Sequence, residues 1–259
     1  MSDVNVQQSD IVGRKVFFLY PTASVKSQII TELVQQEYEV YFCKDHVRLA
    51  HLLKKYQDSI VFVNIDDGIA EQEWEKWIST LLSTLPTIEI GIFSSSNDEE
   101  LKNKYVNVLR AKCGFMTLKV DMSKTIPVVL EILKSMNTKG RRKYIRATTE
   151  HETAATMNMP VHGNIFNGVI KDISVVGISC TFEIDPSLSK NALFKDIQIK
   201  LQSTLLKVEA IVFGSRMDGN EKIYVFIFTQ RIDPEVRVKI RKYIQQNLQN
   251  KMDIEISTI

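Results

Sequence analysis

Short β-rich runs recur through the first half of the chain, at residues 15–20 (KVFFLY), 38–43 (YEVYFC), 60–65 (IVFVNI), 88–93 (IEIGIF) and 114–120 (GFMTLKV). Between them the apolar positions take a helical period. Residues 24–36 set Val25, Ile29, Ile30, Leu33 and Val34 on one stripe, and residues 46–56 do the same with Val47, Leu49, Leu52 and Leu53. Residues 71–82, 98–109 and 123–136 follow the same rule. Buried parallel strands read as continuous apolar runs, and each needs a crossover helix to reach the next. The alternation predicts a five-stranded parallel sheet with helices on both faces. Ser24, Asp98 and Ser123 are the predicted helix N-caps. Trp74 and Trp77, at i and i+3, are expected to pack their helix onto the sheet or a neighbouring domain, with a partner-binding hot spot as the alternative.

The rhythm stops at Asn137-Thr138-Lys139-Gly140, where Gly140 is read as lying near a helix C-cap. From there the pattern is mostly strands: residues 147–157, 164–173, 177–183, 194–201, 205–215 and 222–229. Apolar and polar residues alternate in Ile197-Gln198-Ile199-Lys200-Leu201, and Asp185-Pro186 and Asp218-Gly219-Asn220 punctuate the runs as turns. Six short strands with regular turns predict a small barrel or sandwich. One helix closes the chain, with Pro234 in its first turn and Val236, Ile240, Ile244 and Leu248 as its apolar stripe. The expected organisation is an α/β domain over residues 1–137, an arginine-rich linker over 138–146, and a β-barrel with a terminal helix over 147–259.

Composition changes this picture little until it is divided. The 259 residues hold 33 basic and 31 acidic side chains, a formal net charge of +2. Residues 1–137 contain 15 basic and 18 acidic groups (net −3), and residues 138–259 contain 18 and 13 (net +5). Seven of the ten arginines, all but Arg14, Arg48 and Arg110, lie in the second part. Arginine's planar fork suits phosphates and guanine edges, so an anionic partner is sought there. Cys43, Cys113 and Cys180 are far apart in sequence and make neither a disulfide framework nor a metal motif. A polar N-terminus and the lack of a run of about 20 apolar residues lead to the expectation of a cytoplasmic protein without a membrane span.

Two segments carry candidate chemistry. Gly140-Arg141-Arg142-Lys143-Tyr144-Ile145-Arg146 places four cations in six residues, with Arg142 and Arg146 four apart. Read alone, it is a solvated basic linker or a loop whose guanidinium groups converge on one ligand. Asp172-Ile173-Ser174-Val175-Val176-Gly177 joins two predicted strands, with Asp172 and Ser174 on the same side of an extended chain. Read alone, it is a strand corner with Asx- and Ser-type turn bonds or a ligand contact. Together the segments resemble the PilZ family of bacterial cyclic di-GMP receptors, whose pattern is RxxxR entering a small barrel and then D/N-x-S-x-x-G. Arg142 and Arg146 match the first motif, and Asp172, Ser174 and Gly177 match the second; the resemblance covers residues 140–250. It implies cyclic di-GMP as ligand, with Arg142 and Arg146 on phosphate and guanine, Asp172 on the guanine N–H edge, Ser174 on a phosphate oxygen or holding the loop, and Gly177 giving room. It adds Arg141, just before the motif, as a further ligand residue associated with two intercalated ligand molecules.

The first half resembles the response-regulator receiver fold in architecture, while its chemical motifs depart from it. Tyr20-Pro21-Thr22-Ala23 follows the first strand without a carboxylate, and Asn64 stands where a phosphoacceptor aspartate aligns, with Asp66 and Asp67 slightly late. Lys119 is the candidate for the lysine after the fifth strand. Without paired carboxylates a divalent metal lacks hard ligands, and an amide forms no acyl phosphate. The expectation is a phosphorylation-inactive receiver-like domain. His46, His51, His151 and His162 show no ligand spacing, and no hydrolase, metalloprotease, P-loop or dinucleotide motif is present. The reading is therefore a non-enzymatic cyclic di-GMP effector without a catalytic cofactor. Ligand binding at the domain junction would alter domain orientation and the binding of an unidentified downstream protein partner, in motility or surface behaviour as the resemblance implies. A nucleotide-independent interaction adaptor is the alternative. A nucleic-acid-binding module is disfavoured because there is no basic recognition helix or aromatic-rich strand face.

Overall fold

The computed structural model describes residues 13–118, 122–149 and 155–259. They form two compact units, one of residues 1–143 together with 248–259 and one of residues 144–247.

In the first unit, β1 (Val16–Leu19), β2 (Val40–Cys43), β3 (Ile60–Asn64), β4 (Glu89–Ser94) and β5 (Phe115–Thr117) make one sheet in the order β2-β1-β3-β4-β5. Every pairing is parallel, as expected. This is the doubly wound order whose crossover reverses between β1 and β3. α1 (Thr31–Gln35) continues a π-wound segment, Val25–Ile30. α2 (His46–Leu53), α3 (Glu71–Thr84), α4 (Glu99–Asn103) with the π-wound Lys104–Val108, and α5 (Thr125–Ser135) complete the layers. The sheet is apolar on both faces because successive residues serve opposite cores. Phe17, Leu19, Val61 and Val63 pack with Leu49, Leu52, Trp74 and Ile78. Val16, Phe18, Ile60 and Phe62 pack with Ile29, Leu33, Val129 and Leu133. Trp74 is buried and donates its indole N–H to the Asp67 carbonyl at 3.0 Å, so it packs α3 as expected.

Three of the expected helix signals lie elsewhere, and one of them is Ser123, since Lys124 occupies the N-cap position of α5. Ser24 already has helical backbone angles and makes no side-chain cap bond; the Thr22 hydroxyl accepts from the Val25 N–H at 3.2 Å instead. At the end of α5 the left-handed residue is Asn137 (φ 49°), not Gly140. The Asn137 and Thr138 N–H groups return to the Lys134 and Leu133 carbonyls, the paired bonds of a Schellman turn. Asp98 does cap α4, accepting from the Glu100 N–H at 2.8 Å. Lys119, the last two residues of the fifth predicted strand, His151 and the middle of the 147–157 run lie outside the described residues.

The last helix, α6 (Pro234–Ser257), starts where Asp233 accepts from the Glu235 N–H at 2.8 Å. Its final residues belong to the first unit. Met252 and Ile256 enter the core beside Tyr41 and Leu52. Gln249 accepts from the Phe42 N–H at 3.0 Å and donates to the Phe42 carbonyl at 2.9 Å. Because β2 is an edge strand, that amide stands where a further strand's backbone would pair.

In the second unit, β7 (Ala155–Val161), β8 (Asn164–Ser174), β9 (Gly177–Phe182), β10 (Leu193–Leu201), β11 (Thr204–Asp218) and β12 (Glu221–Phe228) pair antiparallel in the order β8-β7-β10-β11-β12-β9. The β8–β9 pairing closes the ring, giving the six-stranded barrel expected from the sequence. A two-residue strand, β6 (Ala147–Thr148), adds to β8 from outside the ring. Met157, Ile170, Cys180, Ile199, Val208, Tyr224 and Phe226 are buried barrel residues.

Candidate functional site

The short β6 strand fixes the chain entering the barrel against the Asp-x-Ser-x-x-Gly strand. Ala147 pairs with Ile173 and Thr148 with Asp172. The Thr149 N–H bonds the Lys171 carbonyl at 2.9 Å, and its hydroxyl donates to the Ile170 carbonyl. Continued by one residue, this antiparallel register sets Arg146 opposite Ser174. The Arg146 Nη1 lies 3.5 Å from the Asp172 Oδ1, with half of the arginine side chain open to solvent. The second Asp172 oxygen accepts from the Ser179 hydroxyl. Asp172 and Ser179 are direct partners across β8 and β9, and a bulge between Ile170 and Asp172 adjusts the strand just before the carboxylate. Ser179 is the contributor that motif reading missed. Its signal is the hairpin register: if Ser174 pairs with Gly177, Asp172 must face Ser179.

Ser174 and Gly177 build the hairpin that holds Asp172. The buried Ser174 hydroxyl donates to the Gly177 carbonyl at 3.2 Å and receives the Val176 N–H at 3.4 Å. Of the two roles open to it from sequence, the hydroxyl makes the loop bonds. A Cβ at Gly177 would overlap the Phe226 carbonyl oxygen of β12. Only glycine lets β9 approach β12 here. Cys180, next to Ser179, has its thiol pushed well above the ordinary range, chiefly by burial and secondly by the Asp172 charge.

Arg146, Asp172, Ser174 and Gly177 therefore come together in the barrel unit. Arg141 and Arg142 fall in the first unit, and both are exposed. Arg141 lines a cleft there of about 530 Å³ with Arg14, Asp58, Asn137, Lys139 and Gly140. Arg14 is already committed in that cleft: its Nε donates to the Asp58 carbonyl at 2.5 Å and its Nη1 to the Met136 carbonyl at 3.2 Å.

At the carboxyl end of the parallel sheet, the crevice between β1 and β3 is where ligands bind in doubly wound folds. Here an aromatic group occupies it. Tyr20 adopts φ 51°, and its carbonyl accepts from the buried Asn64 side-chain amide at 2.9 Å. Its ring covers Gly68, where a Cβ would lie 2.6 Å from it, and meets Trp74 edge-on at 5.9 Å between centroids. Burial, then the Asp45 charge, raise the Tyr20 hydroxyl's pKa. Asp66 is held by the Ser94 hydroxyl and the Ser95 N–H, both at 2.6 Å. Among the described residues no group of three His, Cys, Asp or Glu side chains is placed to hold a metal ion. None of their helices is long and apolar enough to cross a membrane.

The closed barrel thus carries an arginine and a carboxylate together on one open surface, backed by a bonded hairpin. Residues 140–246 match the PilZ domain. Among solved structures, the PilZ domain of YcgR from Escherichia coli with c-di-GMP is 16% identical over 46% of this chain and 99% of its own, with a TM-score of 0.38. The inhibitor of motility MotI/DgrA of Bacillus subtilis is 16% identical over 43% of this chain and 52% of its own (TM-score 0.37). A response regulator from Thermotoga maritima is 15% identical over 48% of this chain and 99% of its own (TM-score 0.38). No curated protein matches the chain.

Proposed function

We propose that the PilZ domain binds cyclic di-GMP and that the protein is a non-enzymatic effector of that nucleotide. The observation that carries the reading is the Arg146–Asp172 pair, a cationic fork and a carboxylate 3.5 Å apart on solvent-accessible barrel surface. A guanine edge presents both halves of the complement: O6 and N7 accept from a guanidinium, and N1–H and N2–H donate to a carboxylate. Two phosphates per ligand supply the anionic partner for the remaining cations, Arg141 and Arg142. Ser174, Ser179 and Gly177 keep the carboxylate in place. They act on the ligand through Asp172.

Arg142 and Arg146 lie on either side of the division between the two compact units, which falls after Lys143. A ligand that engages both arginines therefore restrains the segment joining the units. Its influence on their arrangement equals its difference in affinity between arrangements, and no more. The output on this reading is altered binding of a protein partner in motility or surface behaviour.

The test is calorimetric titration of the full chain with cyclic di-GMP, beside folded Arg142→Ala and Asp172→Ala variants. Micromolar or tighter binding, weakened in both variants, is the expected result. No heat of binding to folded wild type would overturn the reading and leave the nucleotide-independent adaptor.

A further inference from the structure

The outer wall of the barrel carries an apolar row set by strand register. Leu193 of β10 pairs with Ile211 of β11, and Ile211 pairs with Ile227 of β12. The three side chains are 50%, 38% and 41% exposed. Next to them β11 carries a bulge between Val212 and Gly214. The bulge residue, Phe213, is 59% exposed. Bulges re-aim side chains, and this one turns a phenylalanine outward beside a row that is already apolar. Single exposed apolar residues are ordinary, but three in contiguous register on three strands, with a bulged phenylalanine beside them, are the mark of an interaction surface.

The position of the row restricts what covers it. Ile211 is paired to both β10 and β12, and Ile227 to both β11 and β9, so at the middle of the row no free backbone edge is offered and strand addition has nothing to bond. Recognition there must use side chains, as when an amphipathic helix lays its apolar stripe on a surface. The rim gives the sign of the partner's charge. Lys190 places its ammonium 5.9 Å from the Phe213 ring centroid, and Lys195 follows two residues after Leu193. Neither lysine has an ion pair among the described residues. The neighbouring Asp196 is matched by Lys207 at 2.7 Å, and Glu209 lies on β11 two residues before Ile211. A second copy of the chain on a two-fold axis would bring these lysines against their own images, a repulsive arrangement.

The geometry points to Leu193, Ile211, Phe213 and Ile227 as the docking surface for an amphipathic helix of another protein, with acidic side chains flanking its apolar stripe to meet Lys190 and Lys195. This is independent of the nucleotide reading. The row abuts the motif hairpin, since Ile227 also pairs with Gly177, but its chemistry makes no use of Arg146 or Asp172.

The test uses the isotopically labelled full chain and two synthetic helices with the same leucine stripe, one flanked by glutamates and one by lysines. Amide shifts centred on Leu193, Ile211, Phe213 and Ile227 are expected. The glutamate helix should bind more tightly by on the order of five-fold, and a folded Lys190→Glu/Lys195→Glu variant should reverse the preference. No shifts, shifts centred elsewhere, or a wild-type preference for the lysine helix overturn the assignment. So does a wild-type dimer in sedimentation that Phe213→Ser dissolves, because the face would then belong to a second copy.

Discussion

Arg146 and Asp172 stand 3.5 Å apart across the join between a two-residue strand and the barrel, yet the arginine keeps half of its side chain in solvent. A pair so exposed contributes at most about 1 kcal/mol to folding. Arg146→Ala should therefore unfold within about 1 kcal/mol of wild type, whereas Asp172→Ala, which also takes the acceptor from the buried Ser179 hydroxyl, should lose about 1–3 kcal/mol. If the pair serves ligand recognition, the same substitutions should weaken cyclic di-GMP binding by more than about ten-fold, the loss of one charge-assisted contact. Large destabilisation with unchanged affinity would make the pair structural.

Gly177→Ala should behave in the opposite way. The added methyl overlaps the Phe226 carbonyl, a backbone atom that retreats only if β9 and β12 separate. A loss of roughly 2–4 kcal/mol is expected from overpacking of this kind, read by urea unfolding of the barrel unit. A stable variant would show that the strands part easily.

The two architectures were legible because each follows from periodicity. Apolar runs separated by helical stripes specify a parallel sheet, and alternating runs with turn residues specify a barrel. The arginine pair and Asp172-x-Ser174-x-x-Gly177 were legible as spacing. What spacing did not reveal was division of labour: the Ser174 hydroxyl is spent within its hairpin, while Ser179, outside the motif, holds the carboxylate. Nor was the return of the last helix to the first unit visible. Leu248, Met252 and Ile256 continue an ordinary amphipathic stripe, and nothing in a stripe names the surface that buries it.

Gln249→Ala tests that return. It removes two hydrogen bonds to the Phe42 backbone, so the first unit should lose about 1–3 kcal/mol. Amide exchange at β2 should accelerate while the barrel strands keep their protection. Equal loosening of both units would show that Gln249 has no local role.

Asn64→Asp puts an aspartate where a receiver would carry one, without making a receiver. The buried Asn64 amide donates to the Tyr20 carbonyl, and a carboxylate there is an acceptor facing an acceptor. A cost of about 1–3 kcal/mol is expected, with no phosphorylation by acetyl phosphate and Mg²⁺. A base-labile adduct on the variant, or on Asp66 in wild type, would sink this account.

Asp185 gives a pH signature. The Tyr224 hydroxyl bond, then the Ser187 N–H, then Lys222 hold its pKa below the ordinary value. A depressed folded pKa means stability that is fully present above the unfolded value and lost as pH falls through the folded one. The advantage of wild type over Asp185→Asn should therefore be constant near neutrality and shrink only in acid, below about pH 4. Urea titrations across that range would contradict this if the advantage vanished at a higher pH.

The division of the first unit between residues 1–143 and 248–259 sets an order of events during synthesis. The parallel sheet emerges from the ribosome first but lacks Gln249, Met252 and Ile256 until the whole barrel segment has been made. At about 5–20 residues per second, that interval is on the order of ten seconds. Through it the β2 edge and the surface beside Tyr41 are open, so the domain that is translated first is completed last.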